Sequence, residues 1–210
     1  MKTSSRSGFT VIELITVIAI VSILMAILTP VVSNMMGSAR RSSDASNLRQ
    51  LAMATIAYIN EAGATKSASF VDMNSWAMAL AKSGNFNEAA LFLATGDPAL
   101  TGTLPTKIFT TITTTTDSTT NSTDTIDTTF AASNLGVAAA KTLNLNSSAA
   151  STPVVWTRGL QADGTWSATS PYGTKGGYVA FLDGHVTFYS KVPTDTISIP
   201  TSDNTLQRGS

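Results

Sequence analysis

An apolar stretch lies near the N-terminus of this chain, at residues 9–32, and Glu13 is the only formally charged residue in it. A helix of about 20 residues rises about 30 Å, enough to cross the hydrocarbon core of a bilayer. The stretch therefore predicts a membrane-spanning helix. Because a carboxylate inside such a helix is costly, Glu13 calls for a functional explanation and a cationic partner.

The residues around the apolar stretch distinguish between kinds of N-terminal segment. Lys2 and Arg6 provide the positive start of a secretory signal, but the apolar stretch is too long and no convincing Ala-x-Ala site follows it. A plain anchor explains neither Glu13 nor Gly8. The apolar stretch contains no Lys or Arg to pair with Glu13. Cleavage after Gly8 would supply the cation, since Phe9 would then carry a free α-amino group.

The sequence SGFTVIELITVIAIVSILMAILTP, residues 7–30, resembles the N-terminus of type IV prepilins and type II secretion pseudopilins. The matching positions are Gly8, Phe9, Glu13 and Pro30. The resemblance implies that a prepilin peptidase cuts after Gly8 and methylates the new amine of Phe9. It also implies that Glu13 meets the amine of a neighbouring subunit, and that the leader lies in the cytoplasm and the head outside it.

A physical argument supports this pairing independently of the resemblance. A buried anion on one subunit and a buried cation on another each cost free energy alone, and contact between them removes both penalties. Glu13 would thus favour one axial stagger between subunits. The partners implied are prepilin peptidase, copies of the chain and other pilins or pseudopilins, an inner-membrane assembly platform and membrane lipid. With 13 basic and 13 acidic residues, no nucleic-acid partner is expected.

The chain divides into four predicted segments. Residues 1–8 are the cleaved leader, 9–32 the transmembrane or filament-core helix, 33–63 its amphipathic continuation and 64–210 a globular head. Pro30 and the polar residues after it predict a kink or a locally melted stretch. Five residues then share one helical face before Gly63 ends the helix: Leu48, Leu51, Ala52, Thr55 and Ile59.

The first part of the head predicts two short helices and a Thr-rich segment. One helix begins near Asp72, with Met73, Trp76, Ala77 and Leu80 on one face and Gly84 as its stop; the other covers residues 87–95. Residues 107–129 are rich in threonine and have few large apolar side chains to bury. We therefore predict an exposed loop or edge there.

Two Asp-Gly pairs, Asp163-Gly164 and Asp183-Gly184, lie between β-rich arms and predict two hairpins. A two-residue turn at Asp183-Gly184 would place four residues on the core face: Val179, Phe181, Val186 and Phe188. Residues 176–190 also partly resemble the C-terminal end of pilin-like proteins with a His-x9-Asp-Gly motif. Gly173 stands where that motif has its histidine, so no role of the histidine is carried over.

The sequence of the head gives little evidence for a catalytic, cofactor or metal site. The chain has no cysteine, which excludes disulfides, thiolate metal sites and cysteine nucleophiles. His185 follows a turn and is not expected to be catalytic. No cofactor is expected; calcium is considered at Asp163, Asp195 and Asp203, but their spacing is not that of a dedicated calcium loop.

These observations predict an α+β, pilin-like fold, with one long N-terminal helix and a small C-terminal antiparallel sheet. The predicted function is structural and not enzymatic: a subunit of a type IV pilus or a type II secretion pseudopilus. Its location would be the bacterial inner membrane and then the pilus or the periplasmic pseudopilus. Two alternatives remain open: a membrane-anchored extracytoplasmic binding module or enzyme, and an adhesive or DNA-uptake minor pilin.

Overall fold

The computed structural model describes residues 10–61, 66–84, 87–116 and 119–207. It divides the chain into two compact units, with the boundary between Arg41 and Ser42. The chain combines helices with antiparallel sheets, which confirms the α+β fold class.

Helix α1 covers Val11–Glu61. Within it, Val11–Thr29 is long and apolar enough to cross a membrane, with a mean hydropathy of 2.9. The helix continues through Pro30 and Gly37, so the predicted locally melted stretch is wrong. A proline removes a single backbone hydrogen bond, and the Met, Ala and Arg residues that follow are good helix formers.

The second half of α1 contributes a buried stripe to the C-terminal unit. The five residues predicted to share a face are each at most 2% exposed, which confirms that prediction: Leu48, Leu51, Ala52, Thr55 and Ile59. The Thr55 hydroxyl donates to the Leu51 carbonyl at 2.7 Å and accepts from Trp76 Nε1 at 3.2 Å. A polar residue is thus satisfied inside the core. Gly63 lies outside the described residues.

Helix α2, Met73–Ser83, confirms the first predicted short helix. Asp72 accepts from the Ser75 amide at 2.7 Å and Ser75 Oγ accepts from the Asp72 amide at 3.0 Å, which forms a capping box. Met73, Trp76, Ala77 and Leu80 are buried, and Gly84 is the C-cap.

The second predicted short helix is mostly wrong, because only one 3₁₀ turn forms, at Ala89–Phe92. Leu93 is extended, and the Phe92 carbonyl accepts from the amide of Gly136 at 2.9 Å. A long-range partner therefore takes the carbonyl that a longer helix would use internally.

In its described residues, the head contains nine strands in three antiparallel sheets. The largest has the order β8-β7-β6-β4-β9, and one two-stranded sheet pairs β1 with β5. The strands are β1 Ser67–Ser69, β2 Phe109–Thr116, β3 Thr119–Ile126, β4 Val137–Ala140, β5 Thr142–Asn144, β6 Pro153–Thr157, β7 Gly177–Phe181, β8 Val186–Tyr189 and β9 Thr205–Leu206. A short helix α3, Thr128–Ala132, follows β3.

Strands β2 and β3 form a two-stranded ribbon, so of the two predictions for the Thr-rich segment the loop is wrong and the edge is what forms. Eight residue pairs connect the strands, from Phe109 opposite Ile126 to Thr116 opposite Thr119. Thr111 Oγ1 donates to the Asp124 carboxylate across the ribbon at 2.5 Å. Because β-branched side chains favour extended backbone and pair across strands, a ribbon forms without a large apolar face.

The β7–β8 hairpin differs by one residue from the predicted register. Ala180 lies opposite Val186 and Tyr178 opposite Phe188. The Phe181 carbonyl accepts from the Gly184 amide at 2.9 Å, and the Phe181 amide donates to the His185 carbonyl at 3.0 Å. The loop therefore has three residues, with Gly184 at φ +82°.

This one-residue difference changes which side chains share a face. Val186 and Phe188 lie on the face of Ala180 and Tyr178, so the predicted four-residue core face is wrong. Asp183 and Gly184 both lie in the turn that sets the register.

The Asp163-Gly164 pair forms the same kind of turn, but its arms meet only in the single bridge between Leu160 and Trp166. Strand β6 pairs with β4 and β7 instead, so the second predicted hairpin is confirmed at its turn and wrong in its strand-length arms. Gly164 also packs against the segment after β8: its carbonyl accepts from the Val192 amide at 2.8 Å. A Cβ at position 164 would lie 2.2 Å from the Val192 carbonyl oxygen, so only glycine fits.

Candidate assembly site

The first turn of α1 is closed by a reciprocal pair of residues, Thr10 and Glu13. The Glu13 carboxylate accepts from the Thr10 amide at 2.8 Å and from the Thr10 hydroxyl at 2.7 Å. The Thr10 hydroxyl in turn accepts from the Glu13 amide at 3.3 Å. This is the capping box that Thr-x-x-Glu predicts at a helix start. Our sequence analysis missed it, although the spacing was visible.

The capping box uses only one oxygen of the carboxylate. Both bonds from Thr10 reach Oε2. Among the residues that the structure describes, no hydrogen bond reaches Oε1, and the side chain is exposed. Glu13 can therefore accept a further donor without releasing the helix start. Gly8 and Phe9 lie outside the described residues, and Pro30 lies within α1.

The helix that carries Glu13 presents apolar side chains all round. None of the residues Val11–Thr29 is buried in the chain, and Ile12, Ile23 and Ile27 are more than 60% exposed. A surface of this kind needs lipid or the helices of other subunits to cover it. Glu13 thus lies at the start of a surface suited to a membrane or a helical bundle.

The head holds a buried ion pair that our sequence analysis did not find. Arg158 and Asp97 have side chains that are 0% exposed, with Nη2 of the arginine 3.0 Å from Oδ2 of the aspartate. The guanidinium also donates to the Leu135 carbonyl at 2.8 Å and to the Thr169 carbonyl at 2.7 Å. A planar guanidinium can satisfy several acceptors at once, so this group connects three loops.

Asp44 makes a second polar connection, from α1 to the loops of the head. Its carboxylate accepts from the Thr95 amide at 3.2 Å and from the Tyr172 hydroxyl at 2.5 Å. Burial raises the pKa of Asp44 above its ordinary value, although the hydrogen bonds from Tyr172 and Thr95 oppose the rise and nearby Asp97 adds to it.

We expect Asp44→Asn to remove one contribution that makes the head less stable as pH rises. With a raised pKa, the folded chain binds more protons than the unfolded chain between pH 3.8 and the native pKa. The contribution of Asp44 to stability should therefore fall as pH rises through that window, whereas an asparagine keeps an acceptor and does not titrate. Urea unfolding at several pH values tests this by the difference between the two chains. Parallel profiles would show that Asp44 does not contribute in this way.

The head shows no assembled catalytic or metal centre in its described part. His185 contacts Asp183 and stacks on Phe181 at 4.2 Å, with 40% of its side chain exposed. Asp163 accepts from the Thr165 amide and hydroxyl, which lowers its pKa. Across the described residues, no three His, Asp or Glu side chains form a group that could hold a metal, and Asp195 and Asp203 do not join Asp163 in one.

Comparison with known proteins assigns the N-terminal segment. Residues 3–29 match the family model described as the prokaryotic N-terminal methylation motif. No curated protein and no solved structure matches the chain. The matched range includes Gly8, Phe9 and Glu13, and ends at the last residue of the membrane-spanning segment.

The motif implies processing by a prepilin peptidase and assembly with other pilin-type subunits, and it is typical of structural proteins rather than of enzymes. It leaves the partial resemblance at residues 176–190 untested. Together with the apolar helix it indicates a membrane-anchored protein. The chain therefore carries a prepilin-type N-terminal segment of the kind found in type IV pilins and pseudopilins, and has a pilin-like role.

Proposed function

We propose that the chain is a structural subunit of a type IV pilus or a type II secretion pseudopilus. A prepilin peptidase cuts after Gly8 and methylates the amine of Phe9, and the processed subunit joins a filament through its N-terminal helix. The observation that carries the proposal is the methylation motif at residues 3–29, with Glu13 near the start of an apolar segment, Val11–Thr29, in which no residue is buried.

Oε1 of Glu13, which accepts no hydrogen bond from a described residue, gives the assembly step a specific geometry. A neighbour's Phe9 amine can donate to this oxygen while Oε2 keeps its bonds to Thr10. Two opposite charges about 4 Å apart attract by about 4 kcal/mol at an effective dielectric constant of about 20. Both charges are costly when unpaired in an apolar environment, so contact between them favours one stagger over its alternatives.

The apolar surface and the charge pair have different roles in this mechanism. Moving an apolar helix from lipid into a bundle of similar helices changes its hydrophobic environment little. Packing along Val11–Thr29 therefore permits several staggers, whereas the Glu13–Phe9 pair selects among them. We place the unassembled subunit in the bacterial inner membrane with its head outside the cytoplasm, and the assembled subunit in a pilus or a periplasmic pseudopilus.

Processing is tested first, by intact mass and N-terminal sequencing of the full chain. We expect protein extracted from the membranes of cells with an active prepilin peptidase to lack residues 1–8 and to begin with a methylated Phe9. Cells without the peptidase should retain the leader, as should a Gly8→Val variant, whose β-branched residue alters the cleavage position. An unprocessed wild-type chain in cells that process another prepilin would contradict the proposal.

A further inference from the structure

The outer edge of strand β2 carries backbone groups that β3 does not use. Phe109 lies opposite Ile126. In the neighbouring pair, the Asp127 amide donates to the Ile108 carbonyl at 2.9 Å. Because hydrogen-bonded and non-hydrogen-bonded pairs alternate, the backbone groups of Phe109 point away from β3. The Asn87 side chain hydrogen-bonds to these outward groups: it donates to the Phe109 carbonyl at 2.7 Å and accepts from the Phe109 amide at 2.9 Å.

In an antiparallel pair of strands, the backbone groups of every second residue point to the same side, so other residues of β2 also direct theirs away from β3. The amides and carbonyls of Thr113 and Thr115 point to the same side as those of Phe109. In the part of the chain that the structure describes, β2 belongs to a sheet of two strands, so no third strand covers this edge.

The head already pairs with the base of this edge. Glu88 and Lys107 form an antiparallel bridge just before the strand. The Asn87 side chain then binds the backbone of Phe109, the first residue of the strand. Strand-like pairing along this edge therefore has a precedent within the chain. A further strand would continue it toward the tip of the ribbon.

The edge also lacks the features that prevent strands from adding to a sheet. Exposed edges are usually protected by charged side chains, prolines or bulges. Residues 109–116, FTTITTTT, contain no charge and no proline, and the eight pairs run without a bulge. Strand β3 differs, because it carries Asp124, whose carboxylate lies 2.8 Å from Lys82 Nζ.

We propose that the outer edge of β2 pairs antiparallel with the same edge of a second copy of this chain. The two edges have the same length and no charge, so no like charges oppose each other, and each supplies both amides and carbonyls. Such an interface is isologous and closes with two copies. It connects the heads of two subunits and is separate from assembly through the N-terminal helix.

Disulfide cross-linking of the full chain in lipid nanodiscs tests the proposal. The chain has no cysteine, so a single introduced cysteine reports one position. Nanodiscs in excess over protein hold one copy each, so contacts between copies occur only through heads. Residues directly opposite themselves across the two-fold axis form the disulfide, so one of Thr113→Cys, Thr114→Cys and Thr115→Cys should give a several-fold higher dimer yield than its neighbours.

The matched controls are Thr120→Cys, Asn121→Cys and Ser122→Cys on β3, which should give little dimer. Thr113→Pro removes an outward amide but no bond to β3, so it should abolish cross-linking while circular dichroism is unchanged. Glu13→Gln should leave the dimer intact, which separates this interface from the proposed filament contact. Equal yields on both strands, or preferred cross-linking between a β2 cysteine and a β3 cysteine, would overturn the proposal.

Discussion

Replacing Glu13 by Gln is expected to abolish filament assembly while leaving membrane insertion and cleavage after Gly8 intact. Glutamine retains an oxygen that can accept from the Thr10 amide, so the start of α1 is preserved. It lacks the negative charge that a neighbour's Phe9 amine requires in an apolar environment. The unpaired amine is then costly in the filament, and no stagger is favoured.

The capping role of Glu13 can be separated from its proposed pairing role by a matched variant. Thr10→Ala removes the hydroxyl that donates to Glu13 and accepts from its amide, but keeps the charge and the backbone amide at position 10. Loss of an N-cap side chain costs about 1 kcal/mol. We expect this variant to be inserted, cleaved and assembled.

Electron microscopy and shearing of surface filaments, or recovery of a periplasmic pseudopilus, measure assembly in both variants. Intact mass confirms processing in each. Filaments formed by Glu13→Gln at the wild-type level would show that the charge is not required. If the Thr10→Ala variant and the Glu13→Gln variant each failed to form filaments, the defect would be assigned to the capping box.

The sequence was most informative where one local requirement dominates. A membrane helix must satisfy its backbone internally and expose apolar side chains, so residues 9–32 could be interpreted without tertiary contacts. The buried stripe from Leu48 to Ile59 followed in the same way from helical periodicity. Helix α2 was also predictable, because Asp72 and Gly84 mark its two ends.

The head was less predictable because long-range contacts decide its details. The register of β7 and β8 depends on whether the loop has two or three residues, and Asp-Gly is compatible with both. The Thr-rich ribbon pairs strands that have little to bury, so hydrophobic patterning could not detect it. Asp97 and Arg158 are 61 residues apart, and nothing in their local sequences indicates that they meet.

Arg158→Met is expected to destabilise the head by about 3–5 kcal/mol, the usual effect of removing one partner of a buried ion pair. Methionine fills much of the volume, but the Asp97 carboxylate is left buried without its counter-charge. The carbonyls of Leu135 and Thr169 also lose their donor. Urea unfolding of the full chain in detergent measures the effect, and Trp76, Trp156 and Trp166 provide the signal, since all three are buried in the head.

A double variant separates two causes of the stability lost in Arg158→Met: the unpaired buried charge of Asp97, and the lost packing and hydrogen bonds. In Asp97→Asn combined with Arg158→Met, the asparagine still has an oxygen to accept from the Ala99 amide, as Asp97 does at 2.9 Å, but no charge remains buried. The double variant should therefore be more stable than Arg158→Met alone and less stable than wild type, because the two carbonyls stay without a donor. Lys82→Met, which breaks the exposed pair with Asp124, should have a much smaller effect. If Arg158→Met lowered the free energy of unfolding no more than Lys82→Met, the bonds of Arg158 to Leu135, Thr169 and Asp97 would not stabilise the folded head as expected.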